Sequence, residues 1–276
     1  MALRSYRPTT PGRRHMITAV KPRKVSRPHR SLTIKKKKTS GRNAQGRITT
    51  RQRGNEQHRQ LRQIDFMQDK YNIEARVAYH EYDPNRSAFI ALLVFSDGEK
   101  RYFLLPEGVK EGDKVIFSKK RVDLNPGNRT KLAYIPAGTF VHNLEMMPGK
   151  GGQVVKSAGS QAIIMSKDGQ FVNIKLPSGE VRRFDKECMA SIGQLSNTDH
   201  FNEIIGKAGT MRRKGWRPVV GGSQMNPVDH PHGGGEGHQS IGLKAPKTPW
   251  GKYALGVKTR NKKKRTNMYI LQRRKK

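Results

Sequence analysis

The chain has one cysteine, Cys188, so no internal disulfide can form and a cysteine-based zinc site lacks its ligands; a reducing compartment fits. Acid is also scarce. Against 56 Lys and Arg stand 21 Asp and Glu, a formal net charge of +35, and the partner such a chain suits is a polyanion. Only 33% of its 276 residues are hydrophobic and the mean hydropathy is −0.82, which argues against one large core. No run approaches the roughly 20 apolar residues of a membrane-spanning helix, and the basic start is not followed by the apolar stretch of a signal peptide. The sequence reads as that of a soluble, cytoplasmic protein with no membrane partner.

What is present is unevenly placed. Residues 1–60 hold 18 Lys or Arg and one acid, a net +17; residues 61–205 hold 20 against 18, a net +2; residues 206–276 hold 18 against two, a net +16. A nearly neutral centre therefore carries two polycationic extensions. In the first, Pro8, Pro11, Pro22 and Pro28 interrupt helix and the lysines of 35–38 repel one another, so alone it is expected to be disordered. The second mixes Gly, Pro and His with basic stretches such as 261–265 and ends in Arg273, Arg274, Lys275 and Lys276; it is expected to bury little surface without a partner. One charge run is commonly a solvated tail, but two flanking a neutral core weaken that explanation.

The centre reads as β. Residues 73–82 alternate apolar with polar side chains through Ile73, Ala75, Val77 and Tyr79, as a half-buried strand requires. The turn tetrad Asp83-Pro84-Asn85-Arg86, the apolar run 88–95, the hairpin turn Asp97-Gly98 and a returning strand over 101–105 make an antiparallel meander. A strand over 115–117 could close it into a small barrel. A second set is expected over 138–144, 153–155, 162–165, 171–176 and 181–184, with turns at Asp168-Gly169 and Ser178-Gly179. Such short, closely spaced strands predict a second barrel, with the boundary near Asn125-Pro126-Gly127-Asn128. Helix is expected only as a turn or so within 198–207.

Chemistry concentrates in the second extension. Asp229, His230, His232, Glu236 and His238 lie within ten residues and are side chains that zinc and acid–base work employ. Pro231 between the histidines breaks regular helical pairing, and Gly233, Gly234 and Gly235 offer a backbone without Cβ that could approach phosphates or base edges, with His230 and His232 stacking or hydrogen-bonding to RNA. Arg212, Arg213, Lys214, Trp216 and Arg217 join cations to an indole, which suits phosphate contacts beside base stacking of roughly 1–3 kcal/mol per base. The alternative is that Trp216 caps a barrel. Trp250 has little core around it, which favours packing on RNA. A nonspecific DNA-compacting protein and a metal-dependent hydrolase using His230, His232 and Glu236 are the rival classes; bound zinc in purified protein would mark the latter.

A dozen ordered segments resemble the large-subunit ribosomal protein L-two family of the bacterial type, over most of the chain. They include Pro11-Gly12-Arg13-Arg14, Gly41-Arg42-Asn43, Ile64-Asp65-Phe66, Glu81-Tyr82-Asp83-Pro84-Asn85-Arg86-Ser87-Ala88, Pro148-Gly149-Lys150-Gly151-Gly152, Ser157-Ala158-Gly159 and Gly206-Lys207-Ala208-Gly209. The longest runs from Met225 and Asn226 through His230, Pro231, His232 and the three glycines to Gly237. The resemblance implies a mainly β fold of two tandem small barrels. These are an oligonucleotide-binding fold over 61–125 and a Src-homology-three-like barrel over 126–205, between basic extensions 1–60 and 206–276 that thread among rRNA helices.

It also implies binding to large-subunit rRNA near the peptidyl transferase centre, contacts with neighbouring ribosomal proteins, small-subunit rRNA at an intersubunit bridge and proximity to tRNA. The implied roles are subunit association, tRNA binding and support of rRNA-based peptide-bond formation, without the protein being the catalyst. The rRNA-contacting residues are then Arg13, Arg14, Arg42, Arg212, Arg213, Lys214, Trp216, Arg217, Met225, Asn226, His230, His232, Gly233, Gly234, Gly235 and Trp250. His232 is the position the family associates with peptidyl transfer, with His230 the alternative. No protein-bound cofactor or metal is expected, only magnesium accompanying the rRNA. The sequence departs from the family pattern at Gly221 and His238, where arginine is usual.

Overall fold

A computed structural model describes residues 3–22, 28–237 and 239–274; His238, Lys275 and Lys276, singled out above, lie outside them. The chain is mainly β and divides into two compact units, one of residues 1–37, 58–208 and 268–276, the other of 38–57 and 209–267.

The first unit begins with short strands in polar sequence. Strand β1 (Leu3–Ser5) pairs antiparallel with β2 (Ile17–Ala19), and β3 (Thr33–Lys35) with β4 (Gln60–Arg62). Between β1 and β2 lies helix α1 (Pro11–Arg14). Pro11 starts it rather than preventing it, because the first N–H of a helix has no intrahelical partner to lose. The alternating pattern thus gave no sign of these elements, since three-residue strands with mostly exposed side chains carry no periodicity.

Four strands follow: β5 (Glu74–Glu81), β6 (Ile90–Phe95), β7 (Lys100–Leu104) and β8 (Lys114–Ile116), antiparallel in the order β7-β6-β5-β8. In β6 the odd residues Ala91, Leu93 and Phe95 face one core cluster with Ala75 and Val77, while Ile90 and Leu92 face another with Tyr102 and Leu104. Burial on both faces explains why 88–95 reads as continuous apolar sequence. The second cluster is completed from outside the sheet by Leu32, Ile64, Phe66 and Leu195. Strand β5 carries a bulge between Val77 and Tyr79, and the extra residue moves Tyr79 to the opposite cluster from Val77. The plain alternation had put Ile73, Ala75, Val77 and Tyr79 on one face.

After a turn over Asn125–Asn128 come β9 (Arg129–Lys131), β10 (Phe140–His142), β11 (Leu144–Glu145), β12 (Gly152–Val154), β13 (Ala162–Asp168), β14 (Phe171–Lys175), β15 (Val181–Asp185), β16 (Met189–Ile192) and β17 (Ile270–Gln272). Seven form one sheet ordered β17-β15-β14-β13-β10-β16-β9, curled around Leu132, Val141, Ile164, Val172, Ile174 and Phe184. Strands β11 and β12 pair separately. Inside sits an ion pair: Arg129 Nη2 donates to Glu145 Oε1 at 3.0 Å, with both side chains at most 2% exposed. The carboxylate also accepts the N–H groups of Gly149, Gly151 and Met189 at 3.0–3.3 Å. Pro148-Gly149-Lys150-Gly151-Gly152 is therefore a loop folded around a buried carboxylate, and a Cβ on Gly152 would stand 1.8 Å from Asn143 Oδ1. The 198–207 segment forms a 3-10 turn, Thr198–Asn202, and then a bridge of Ile204 to Ile17.

The second unit contains no strand among its described residues, yet it lays distant segments side by side. The N–H of Gly54 donates to the Gly215 carbonyl, that of Arg217 to Gln52 and that of Gln57 to Arg213, each at 3.0 Å. Helix α2 (Ala208–Arg213) leads into this clasp and Gly215, at φ +93°, turns the chain out of it. Parts of the two basic extensions, separate in sequence, belong to one folded body.

Candidate nucleic-acid interface

In the first unit, two cations converge on one aromatic ring where the barrels meet. Lys156 Nζ lies 4.1 Å and Arg86 Cζ 5.6 Å from the centre of Phe66. The turn Asp83-Pro84-Asn85-Arg86 aims the guanidinium: buried Asp83 accepts the Arg86 Nε at 2.7 Å and the Asn85 N–H at 2.8 Å. The Ser157-Ala158-Gly159 loop is tied to the first barrel by the Ala158 N–H donating to Ser87 Oγ at 3.1 Å, and Asn197 Nδ2 donates to the Ser87 carbonyl at 2.7 Å. Burial, and then the neighbouring Arg86, push the Lys156 ammonium below its ordinary pKa. Asp83 answers only one of the two charges, so a phosphate oxygen at this seam would relieve the repulsion. Neither residue was among the expected contacts, although Arg86 lies within one family-like segment and Lys156 precedes another.

Arg13 and Arg14 occupy the last turn of α1, exposed, and Arg13 Cζ lies 5.7 Å from the Tyr6 ring, with Arg4 at 5.3 Å. The Tyr6 hydroxyl meets Thr18 Oγ1 at 3.0 Å, which fixes the ring between the arginines.

The remaining expected contacts fall in the second unit. Arg212 and Arg213 end α2, and Arg212 Nη1 donates to the Trp216 carbonyl at 3.2 Å, while Lys214 and Arg217 are exposed. Trp216 is 41% exposed, with the Arg53 guanidinium stacked 3.4 Å from its ring centre. Trp250 is 73% exposed and has Arg51 at 5.2 Å. Arg42 is exposed in a small loop closed by its bridge to Ile48.

The Gly-His loop is organised by its own atoms. His230 is buried and its Nδ1 accepts the His232 N–H at 3.0 Å, while His232 Nε2 accepts the Lys247 N–H at 2.9 Å. The rings meet edge to face at 4.8 Å. In this arrangement the neutral His232 carries its proton on Nδ1, and its Nε2 lone pair is already engaged. The glycines answer to close packing within the loop: a Cβ on Gly233 would stand 2.3 Å from the Asn226 carbonyl oxygen, and one on Gly234 2.6 Å from Pro227 Cγ. Met225 contributes the carbonyl that receives the Gly234 N–H at 3.0 Å, and Gly235 lies against Gln239. Among the described residues no group of three or more His, Cys, Asp or Glu side chains comes together to hold a metal ion. No helix of the described chain is long and apolar enough to cross a membrane.

Two family models match this chain. Residues 29–117 match the one described as Ribosomal Proteins L2, RNA binding N-terminal domain, and residues 125–251 the one described as Ribosomal Proteins L2, C-terminal domain. The first span covers β3 to β8; the second covers β9 to β16, α2, the Gly-His loop and both tryptophans.

Proposed function

The chain belongs to the ribosomal protein L2 family, and from that premise we propose how it acts in the large ribosomal subunit. It is an RNA-binding structural protein of that subunit and of translation, associated with rRNA and other ribosomal proteins rather than acting as an enzyme in the ordinary sense. The proposal is that the first unit docks on large-subunit rRNA through Arg86 and Lys156 at the seam of the barrels and through Arg13 and Arg14 of α1. The second unit then carries Arg42, Arg212, Arg213, Lys214, Arg217 and the Gly-His loop to the peptidyl transferase region. There it supports subunit association, tRNA binding and peptide-bond formation, and reaches small-subunit rRNA at a bridge. Magnesium accompanies the rRNA, and the site of action is the cytoplasm.

The observation that carries this reading is the charge of the second unit, where 18 Lys or Arg stand against Glu56, Asp229 and Glu236, a net +15. Such a body loses stability through self-repulsion and regains it against a polyanion, with release of condensed counterions. In this scheme His232 positions the loop, because its Nε2 is held by the Lys247 N–H, and proton movement is left to the RNA.

Sedimentation of the tagged chain from lysate on sucrose gradients tests the reading. Co-migration with large subunits, retained in high magnesium and reduced by the paired changes Arg86→Gln and Lys156→Gln, is the expected result. Slow sedimentation free of rRNA would overturn it.

A further inference from the structure

We propose that Arg51 and Arg53 form a clamp for two adjacent rRNA phosphates, held ready by the chain's two tryptophans. The inference rests on the rRNA-binding reading and adds to it a contact that the family-like segments did not mark.

A guanidinium stacked on an indole uses its flat face and leaves its N–H donors, which lie in its plane, pointing outward in a fixed fork. Arg53, 3.4 Å from the Trp216 ring centre, is in that position, and Arg51 lies 5.2 Å from Trp250. Among the described residues neither guanidinium has a carboxylate or hydrogen-bond partner, unlike Arg62, Arg101 and Arg129 in the first unit. The stem is fixed as well. Arg53 bridges Trp216, Gln52 accepts the Arg217 N–H at 3.0 Å, and the Gly54 N–H binds the Gly215 carbonyl at 3.0 Å. Gln52 itself sits at φ +58°, a backbone state that residues with side chains adopt at a cost and that these bonds maintain.

Two positions apart along the chain, the arginines are within about 7 Å of one another at Cα, a span suited to neighbouring phosphates of one strand. Phosphate takes two parallel N–H donors from a guanidinium, so orientation as well as charge is used. The tryptophans, expected to stack on bases, instead spend one face each on arginine. Their job in the clamp is to remove side-chain freedom before the RNA arrives.

The full-length chain is titrated with deproteinised large-subunit rRNA over a salt series, comparing wild type with the double variants Arg51→Gln/Arg53→Gln and Arg51→Lys/Arg53→Lys. Loss of two phosphate contacts should lower the slope of log affinity against log salt by about 1.4–1.8 in the glutamine variant. The lysine variant keeps charge and stem, which guards against misfolding, yet it should bind about tenfold more weakly because an ammonium offers no planar fork. Trp216 and Trp250 are the only tryptophans, so emission reads the clamp alone, and it should shift in both free variants. An unchanged slope with glutamine, or wild-type affinity with lysine, would overturn the clamp while leaving rRNA binding intact. Failure of the wild type to bind rRNA would sink the rRNA reading and the clamp with it.

Discussion

His142 illustrates how a single residue couples this fold to pH. It is 1% exposed at the end of β10, and its Nδ1–H donates to the Gly193 carbonyl at 2.9 Å. Burial lowers its pKa to about 4, the carbonyl bond opposes the shift and nearby Arg129 adds to it. In the unfolded chain the imidazole takes up its proton near pH 6.5, whereas the folded barrel resists until about pH 4. Between those values the unfolded state holds more protons. Stability attached to this residue is therefore complete above pH 6.5 and falls by about 3 kcal/mol as pH drops to 4. Urea midpoints at pH 7.5 and 4.5 should separate widely for the wild type and less for His142→Gln, which cannot titrate; equal separations would show that carboxylates alone set the acid limit. Nothing in the sequence marked His142 as buried, since its burial follows from the pairing of β10 with β13 and β16.

Elements were legible where side-chain pattern and backbone agree. The alternation before Tyr82 and the apolar run 88–95 located β5 and β6, and the turn pairs Asp97-Gly98, Asp168-Gly169 and Ser178-Gly179 located the hairpins. Strand β9, Arg129-Thr130-Lys131, was invisible because its sequence is polar, and its arginine is buried only because Glu145 lies opposite. Strand β17 was hidden for a different reason: its partner β15 is about ninety residues away, and no local pattern encodes such pairing. The bond is nonetheless specific, with Gln272 opposite Val181, Ile270 opposite Arg182, and the rings of Tyr269 and Phe171 at 6.2 Å. Ending the chain after Asn267 should remove about 2 kcal/mol, the worth of an aromatic pair and one or two net hydrogen bonds. It should also bare the edge of β15. Thermal melting together with light scattering checks both; an unaltered melt without aggregation would mean that β17 is a passive tail.

At the scale of the whole molecule, the sequence divides into two arms around a core, whereas the structure divides into two folded units that share the arms between them. Charge counting found both extensions but could not find their pairing, because the hydrogen bonds from 52–57 to 213–217 run between backbones and leave no mark in residue type. The difference has a measurable consequence. If the extensions were independent tails, replacing 38–57 by a Gly-Ser linker of equal length would delete five of the unit's 18 basic residues and leave Trp216 and Trp250 as they were. If they fold as one clasp, the replacement removes the partners of both indoles and of the backbone around Gly215. Tryptophan emission should then move to that of hydrated indole, and 209–267 should become readily cut by protease. The barrels, whose cores lie elsewhere in the chain, should melt within a few degrees of the wild type. Unchanged emission and protection in the linker variant would return the extensions to the status of separate tails.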